Sequence, residues 1–200
     1  MLQLQKGGKL NLAKAGGLDF VKVGLGWSEK KFDTQQDFDL DATAFVLRED
    51  GSPFGAVLAI PPQKDGWVCY YNQQNIGNGA VVSSGDNRTG SGEGDDESIE
   101  IDFKKLPPEA SRVAIVITIH EAAERKQNFG QIEKAYATIY DNTGAERAKF
   151  QLDEDASTAT ALLFVEFKKN DSGEWVLNAV GEGFQKGLSD FCTAFKVPGF

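Results

Sequence analysis

Residues 85–97 read GDNRTGSGEGDDE, a run without a single apolar side chain. Asp86, Asp95, Asp96 and Glu97 supply carboxylates and Asn87 an amide oxygen. Gly85, Gly90, Gly92 and Gly94 supply a backbone free to turn its carbonyls inward, where a Cβ would hinder it. No hydrophobic core can hold such a segment. It is either a solvated acidic loop or a loop ordered by a partner outside the protein's own side chains, and the partner that matches its chemistry is a hard cation.

A second acidic group lies upstream in QDFDLDATAFVL, residues 36–47. Read as a strand, it puts Phe38, Leu40, Ala42, Ala44 and Val46 on one face and Asp37, Asp39 and Asp41 on the other, with neighbours on a face roughly 6.7 Å apart. Three like charges in a row repel one another, and Asp is a poor strand former. Such a strand is either well solvated or neutralised by a counter-ion. Asp37, Asp39, Asp41, Asp86, Asp95, Asp96 and Glu97 together suit calcium, which takes about 6–8 oxygens from carboxylates, amides, carbonyls and water. Zinc is a poor match, because His120 is the only histidine and Cys69 and Cys192 are far apart. Magnesium takes fewer protein ligands and keeps more of its water. An EF-hand is excluded in both registers. Starting from Asp37, the sixth and twelfth positions are Ala42 and Arg48; starting from Asp86, Glu97 falls at the twelfth, but Arg88 and Gly90 occupy the third and fifth. The GSGEGD run is like one calcium-binding β-roll repeat, but it occurs once, and such repeats must stack.

The elements that position these groups are strands. Period-two alternation is plain in FVKVGL (20–25) and SIEIDF (98–103), and residues 54–60, 112–119, 134–141, 148–152, 161–168 and 175–181 also read as strands. The turn signals EDGSP, DNTG and NDSGE separate them, the last suiting a hairpin. HEAAERKQ (120–127) reads as one or two helical turns. In FQKGLSDFCTAF (184–195), Phe184, Leu188, Phe191 and Phe195 form one helical stripe, so a short C-terminal helix is expected. With 200 residues, 40% of them hydrophobic, and no linker in sight, one domain spanning residues 1–200 is expected. Its fold class is all-β, a β-sandwich of two packed sheets with short helices.

Six blocks in this sequence resemble the tellurium-resistance TerD family: GLGW (24–27), DFDLDA (37–42), GDNRTGSGEGDDE (85–97), VITIH (116–120), QNFGQI (127–132) and EDASTATALLF (154–164). They occur in that family's order and span the chain from about residue 2 to 195. The resemblance implies a calcium-binding β-sandwich of cytoplasmic stress-response systems that include tellurite resistance. It implies a ligand set of Asp37, Asp39, Asp41, Asp86, Asn87, Asp95, Asp96 and Glu97, two bound calcium ions, and protein partners from the same stress-resistance system.

Charge and composition narrow the function further. A net charge of −9 argues against nucleic acid or an anionic membrane as partner. No run approaches the ~20 apolar residues of a membrane span, so direct membrane insertion is not expected. The first residues, MLQLQKGGKLNLAKAGG, show no apolar leader core, and two distant cysteines suit a reducing cytoplasm. A non-enzymatic binding or scaffold module is the expectation. An enzyme that reduces tellurite would need thiols, a flavin or a reactive metal, and a cationic funnel for the anion. A small-molecule or cyclic-nucleotide binder is the remaining alternative. His120 reads as a hydrogen-bonded structural histidine, because no nucleophile signature accompanies it. GEGFQKG (181–187) is one residue off a dinucleotide fingerprint, lacks a βαβ context, and reads as a turn into the last helix.

Overall fold

The computed structural model describes residues 1–29, 38–54, 66–85, 94–151 and 158–197. The expected strand at 54–60 lies, from residue 55 on, outside them. Thirteen strands are found among the described residues: β1 (Leu2–Leu4), β2 (Lys9–Asn11), β3 (Phe20–Glu29), β4 (Leu40–Leu47), β5 (Val68–Cys69), β6 (Asn75–Ile76), β7 (Val81–Ser83), β8 (Glu97–Asp102), β9 (Arg112–Ile119), β10 (Ile132–Tyr140), β11 (Glu146–Gln151), β12 (Ala161–Lys169) and β13 (Trp175–Phe184). They make a seven-stranded sheet in the order β1-β11-β10-β3-β8-β7-β6 and a six-stranded sheet in the order β2-β13-β12-β9-β4-β5. The architecture is an all-β sandwich with two short α-helices, α1 (Ala122–Arg125) and the C-terminal α2 (Leu188–Ala194).

Alternation decides which way each strand faces. Val21, Val23 and Leu25 of β3 meet Leu40, Ala42, Ala44 and Val46 of β4 in the core between the sheets, and Phe38 joins them. The near-continuous apolar strands β9 and β12 are explained by burial on both faces. Their inner residues, among them Ile115, Ile117 and Phe167, enter the common core, while Ala114, Val116, Ala161 and Leu163 pack outward under α2. A register shift between Leu163 and Val165 lets both Phe164 and Val165 reach the inner core.

The C-terminal helix is shorter than its stripe suggests. Phe184 closes β13 rather than opening α2, and Gly187, at φ 75°, turns the chain into the helix. The GEGF part of GEGFQKG is therefore strand, and only the residues after it make the turn. Phe184 still packs on Phe191, ring centroids 4.6 Å apart, so the apolar partnership is kept across the strand–helix junction. The NDSGE hairpin forms as read, with the Asn170 N–H donating to the Glu174 carbonyl at 2.9 Å. β1, β2, β5, β6 and β7 carry too few residues for periodicity to reveal them.

Candidate metal centre

Of the eight residues that the family resemblance implies as ligands, Asp39, Asp41, Asp95, Asp96 and Glu97 are described, while Asp37, Asp86 and Asn87 lie outside the described residues. The two acidic segments meet at one point. The Glu97 side chain, first in β8 and only 3% exposed, reaches from the seven-stranded sheet to the edge of the six-stranded one. There its Oε2 accepts the Ala42 N–H at 2.8 Å. Ala42 pairs with Ile117 of β9 in the sheet, and this N–H, beyond the short pairing of β4 with β5, is satisfied by the carboxylate. One residue earlier, Asp96 Oδ2 accepts the Trp27 N–H at 2.9 Å, and the Asp96 N–H donates to the Leu25 carbonyl at 2.7 Å. Two backbone N–H groups thus aim two successive carboxylates.

Asp41 of β4 and Asp39, one residue before the strand, lie on the side turned away from the core, as alternation requires. Asp39 approaches Arg125 of α1, Oδ2 to NH1 3.9 Å, and its carbonyl accepts the His120 N–H. Asp41 lies 3.9 Å from His120 Nδ1, and Glu121 lies 3.4 Å from Nε2. The His120 side chain is half-exposed, with Asp41 and Glu121 beside its two ring nitrogens. It stands at the mouth of an open groove of about 450 Å³, lined by Asp41, Tyr71, Glu121, Glu124 and Lys186 among others. Arg125 of α1 is bracketed by Asp39 and Glu121.

Asp95 goes elsewhere. It sits on the outer face of the seven-stranded sheet, against Gly24 of β3 and beside Tyr140 of β10. Burial raises its carboxyl above the ordinary value, an effect opposed by the Tyr140 hydroxyl and by Lys22 and Lys149. Burial also raises Asp96, the Trp27 N–H opposes this, and the charge of Asp95 adds to the rise. Tyr140 is pushed up to about 12 by burial and by Asp95.

Among the described residues, no group of three or more histidine, cysteine, aspartate or glutamate side chains could hold a metal ion. The described carboxylates suit calcium in donor type, anionic oxygen without nitrogen or sulfur, and in the crowding of charge at 95–97. They do not by themselves close a coordination shell. Cys69 and Cys192 are free and buried. Burial pushes their thiols up to about 12 and about 11, leaving neither as a ready nucleophile or reductant.

The TerD domain model matches residues 1–195. The chain belongs to the TerD family. Over 198 residues it is 41% identical to the tellurium resistance protein TerD of Serratia marcescens, covering 98% of this chain and 97% of that one. It is also 41% identical to general stress protein 16U of Bacillus subtilis (strain 168), over 97% of this chain and 96% of that one. A solved structure of a telluride-resistance homologue from Streptomyces coelicolor A3(2) superposes with a TM-score of 0.65 at 23% identity, covering 88% of this chain and 95% of that one. That likeness bears on the TerD fold alone. No helix among the described residues is long and apolar enough to cross a membrane.

Proposed function

We propose that this TerD-family chain is a calcium-binding, non-enzymatic module of a cytoplasmic tellurite and chemical stress-resistance system. The ions, proposed as two, are held by oxygens of the two acidic segments, residues 37–41 and 86–97. The observation that supports this best is the Glu97–Ala42 contact, because it joins the end of the glycine-rich segment to the DFDLDA strand. Calcium, when bound, supplies positive charge between carboxylates that would otherwise repel. The chain's own part is to aim Asp96 and Glu97 through Trp27 and Ala42 and to present Asp39 and Asp41 from one strand face. The order so gained offers a surface to protein partners of the same system.

The buried, high-pKa thiols favour a binding role over tellurite reduction. Beside the groove at His120, three carboxylates (Asp41, Glu121 and Glu124) oppose one lysine, Lys186, a poor lining for the phosphate of a cyclic nucleotide.

A thermal melt against calcium tests the reading. Binding to the native state alone stabilises it by about 2.7 kcal/mol when free calcium is a hundredfold above Kd. Tm rises with calcium and much less with magnesium. Asp39→Ala removes most of the rise, and Glu100→Ala, outside the acidic segments, leaves it. Identical melts in chelator and in excess calcium refute the calcium reading.

A further inference from the structure

The two glycines of GLGW face the outer side of the seven-stranded sheet, and each is needed for a close approach. A Cβ on Gly24 would overlap the Asp95 carboxylate, and one on Gly26 would overlap the Tyr136 phenol. In the register of the sheet, Gly24 lies opposite Thr138 of β10 and Ser98 of β8, and Gly26 opposite Tyr136. The result is a shallow seat rimmed by Tyr136, Tyr140, Lys22 and Lys149. Lys149 Nζ stands 3.8 Å from the centre of the Tyr136 ring, and Lys22 Nζ 5.6 Å from that of Tyr140. The Tyr136 hydroxyl donates to the Gly94 carbonyl at 2.9 Å, and the Tyr140 hydroxyl faces Asp95 as a donor. The chain entering β8 is therefore gripped at Gly94 and at Asp95, immediately before the two carboxylates that meet Trp27 and Ala42.

Asp95 differs from its neighbours in direction and in surroundings. An extended chain turns successive side chains to opposite faces. By that rule Asp95 and Glu97, two residues apart, would share a face; instead the chain bends at Asp96, so that Asp95 lies on the outer face of one sheet while Glu97 reaches the edge of the other. The charges that act on Asp95 are the ammonium groups of Lys22 and Lys149 and, more weakly, the Glu146 carboxylate; a divalent ion placed there would meet two cations and be repelled by both.

We infer that Asp95 is a positioning residue and not a calcium ligand: seated on Gly24 among Tyr140, Lys22 and Lys149, and braced by the Tyr136–Gly94 bond, it sets the register in which Asp96 and Glu97 face the ion. The part that concerns calcium rests on the function proposed above; the seat itself does not.

The test uses the full chain, with chelator and with calcium, and reads amide hydrogen exchange at Asp96 and Trp27 beside calcium affinity by calorimetry. In chelator, Gly24→Ala and Tyr136→Phe speed exchange at these two amides roughly tenfold, the effect of one lost hydrogen bond, while amides of β9 and β12 keep their rates. Tyr136→Phe removes one hydroxyl and little packing, so it carries the test even where Gly24→Ala does not fold. With calcium, both variants bind more weakly although no proposed ligand is altered. Asp95→Asn keeps an acceptor for Tyr140 and stays within about threefold of the parent affinity, whereas Asp96→Asn loses binding. Loss of binding in Asp95→Asn equal to that in Asp96→Asn, with parent affinity in Tyr136→Phe, makes Asp95 a ligand and overturns the inference. If the parent chain does not bind calcium, that reading fails alone, and unchanged exchange at Asp96 and Trp27 in chelator then overturns the seat as well.

Discussion

On the outer face of the six-stranded sheet, Phe45, Val116 and Leu163 are sealed beneath α2 by Phe191 and Phe195. On the outer face of the seven-stranded sheet, the strands carry Lys22, Gly24, Gly26, Tyr136, Tyr140 and Lys149, and what lies on them is the end of an acidic segment. Both sheets face one core, so the difference lies in what each does with its second surface. One spends it on apolar packing, which stabilises without direction. The other has side chains removed at two glycines and phenols placed beside them, which gains little burial but fixes where a particular carboxylate sits. The apolar seal and the seat of Asp95 are thus built on opposite outer faces and should separate under mutation.

The largest effect expected is on the helix-covered face. Phe191→Ala removes a side chain only 1% exposed and should cost about 3–5 kcal/mol in denaturant unfolding. The calcium-induced gain should be unchanged; its loss would mean that the two faces are coupled through the core. Next comes Glu97→Gln, which keeps an acceptor for the Ala42 N–H and removes the charge. Melting in chelator should stay near the parent's, while the gain of about 2.7 kcal/mol at hundredfold-saturating calcium should vanish. A calcium shift that survives breaks the assignment of the site to this edge.

Much of the fold could be read from period two, because a sandwich strand with one wet face must alternate, as β3 and β8 do. The inward set Phe38, Leu40, Ala42, Ala44 and Val46 was legible for the same reason. The extent of α2 was not: Phe184 fits the helical stripe in spacing and reaches Phe191 from a strand instead. For the candidate site, the residue types were legible and the directions were not. Asp95, Asp96 and Glu97 are adjacent in the sequence and look equivalent, yet their bearings depend on where the segment joins β8 and on two backbone N–H groups, Trp27 of the neighbouring β3 and Ala42 of the opposite sheet. Nor do the glycines of GLGW announce what they accommodate. That signal required Asp95 and Tyr136, which come far later in the chain.

A smaller effect is expected at the rim of the covered face. Arg112 pairs with Glu166 at 2.6 Å and lies over the Phe195 ring, its Cζ 5.0 Å from the centre. Arg112→Ala should lower stability by about 1 kcal/mol and leave calcium affinity alone, as denaturant melts with and without the ion would show. The smallest effect concerns the thiols. With pKa values of about 12 and about 11, Cys69 and Cys192 at pH 8 hold thiolate in fractions on the order of one in ten thousand and one in a thousand. Alkylation should be negligible until the chain unfolds, rising with pH toward those values. Native protein should reduce tellurite no faster than a boiled control, and catalytic reduction would revive the enzyme reading.

The strands β1 and β2 are separated by one short turn, yet they belong to different sheets: β1 runs parallel to β11, with Leu2 beside Ala148, and β2 pairs with β13, with Leu10 opposite Leu177. Of the described strands, these two therefore leave the ribosome before all the others and complete the edges last. At about 5–20 residues per second of synthesis, Leu10 waits on the order of ten seconds before its partner exists. Until then the apolar side chains of Leu4, Leu10 and Leu12 and the backbone groups beside them are open to any other strand edge nearby. For this chain the hazard of misassociation belongs to the nascent state, and it closes when the hairpin of β12 and β13 has emerged and the first dozen residues can stitch the two sheets together.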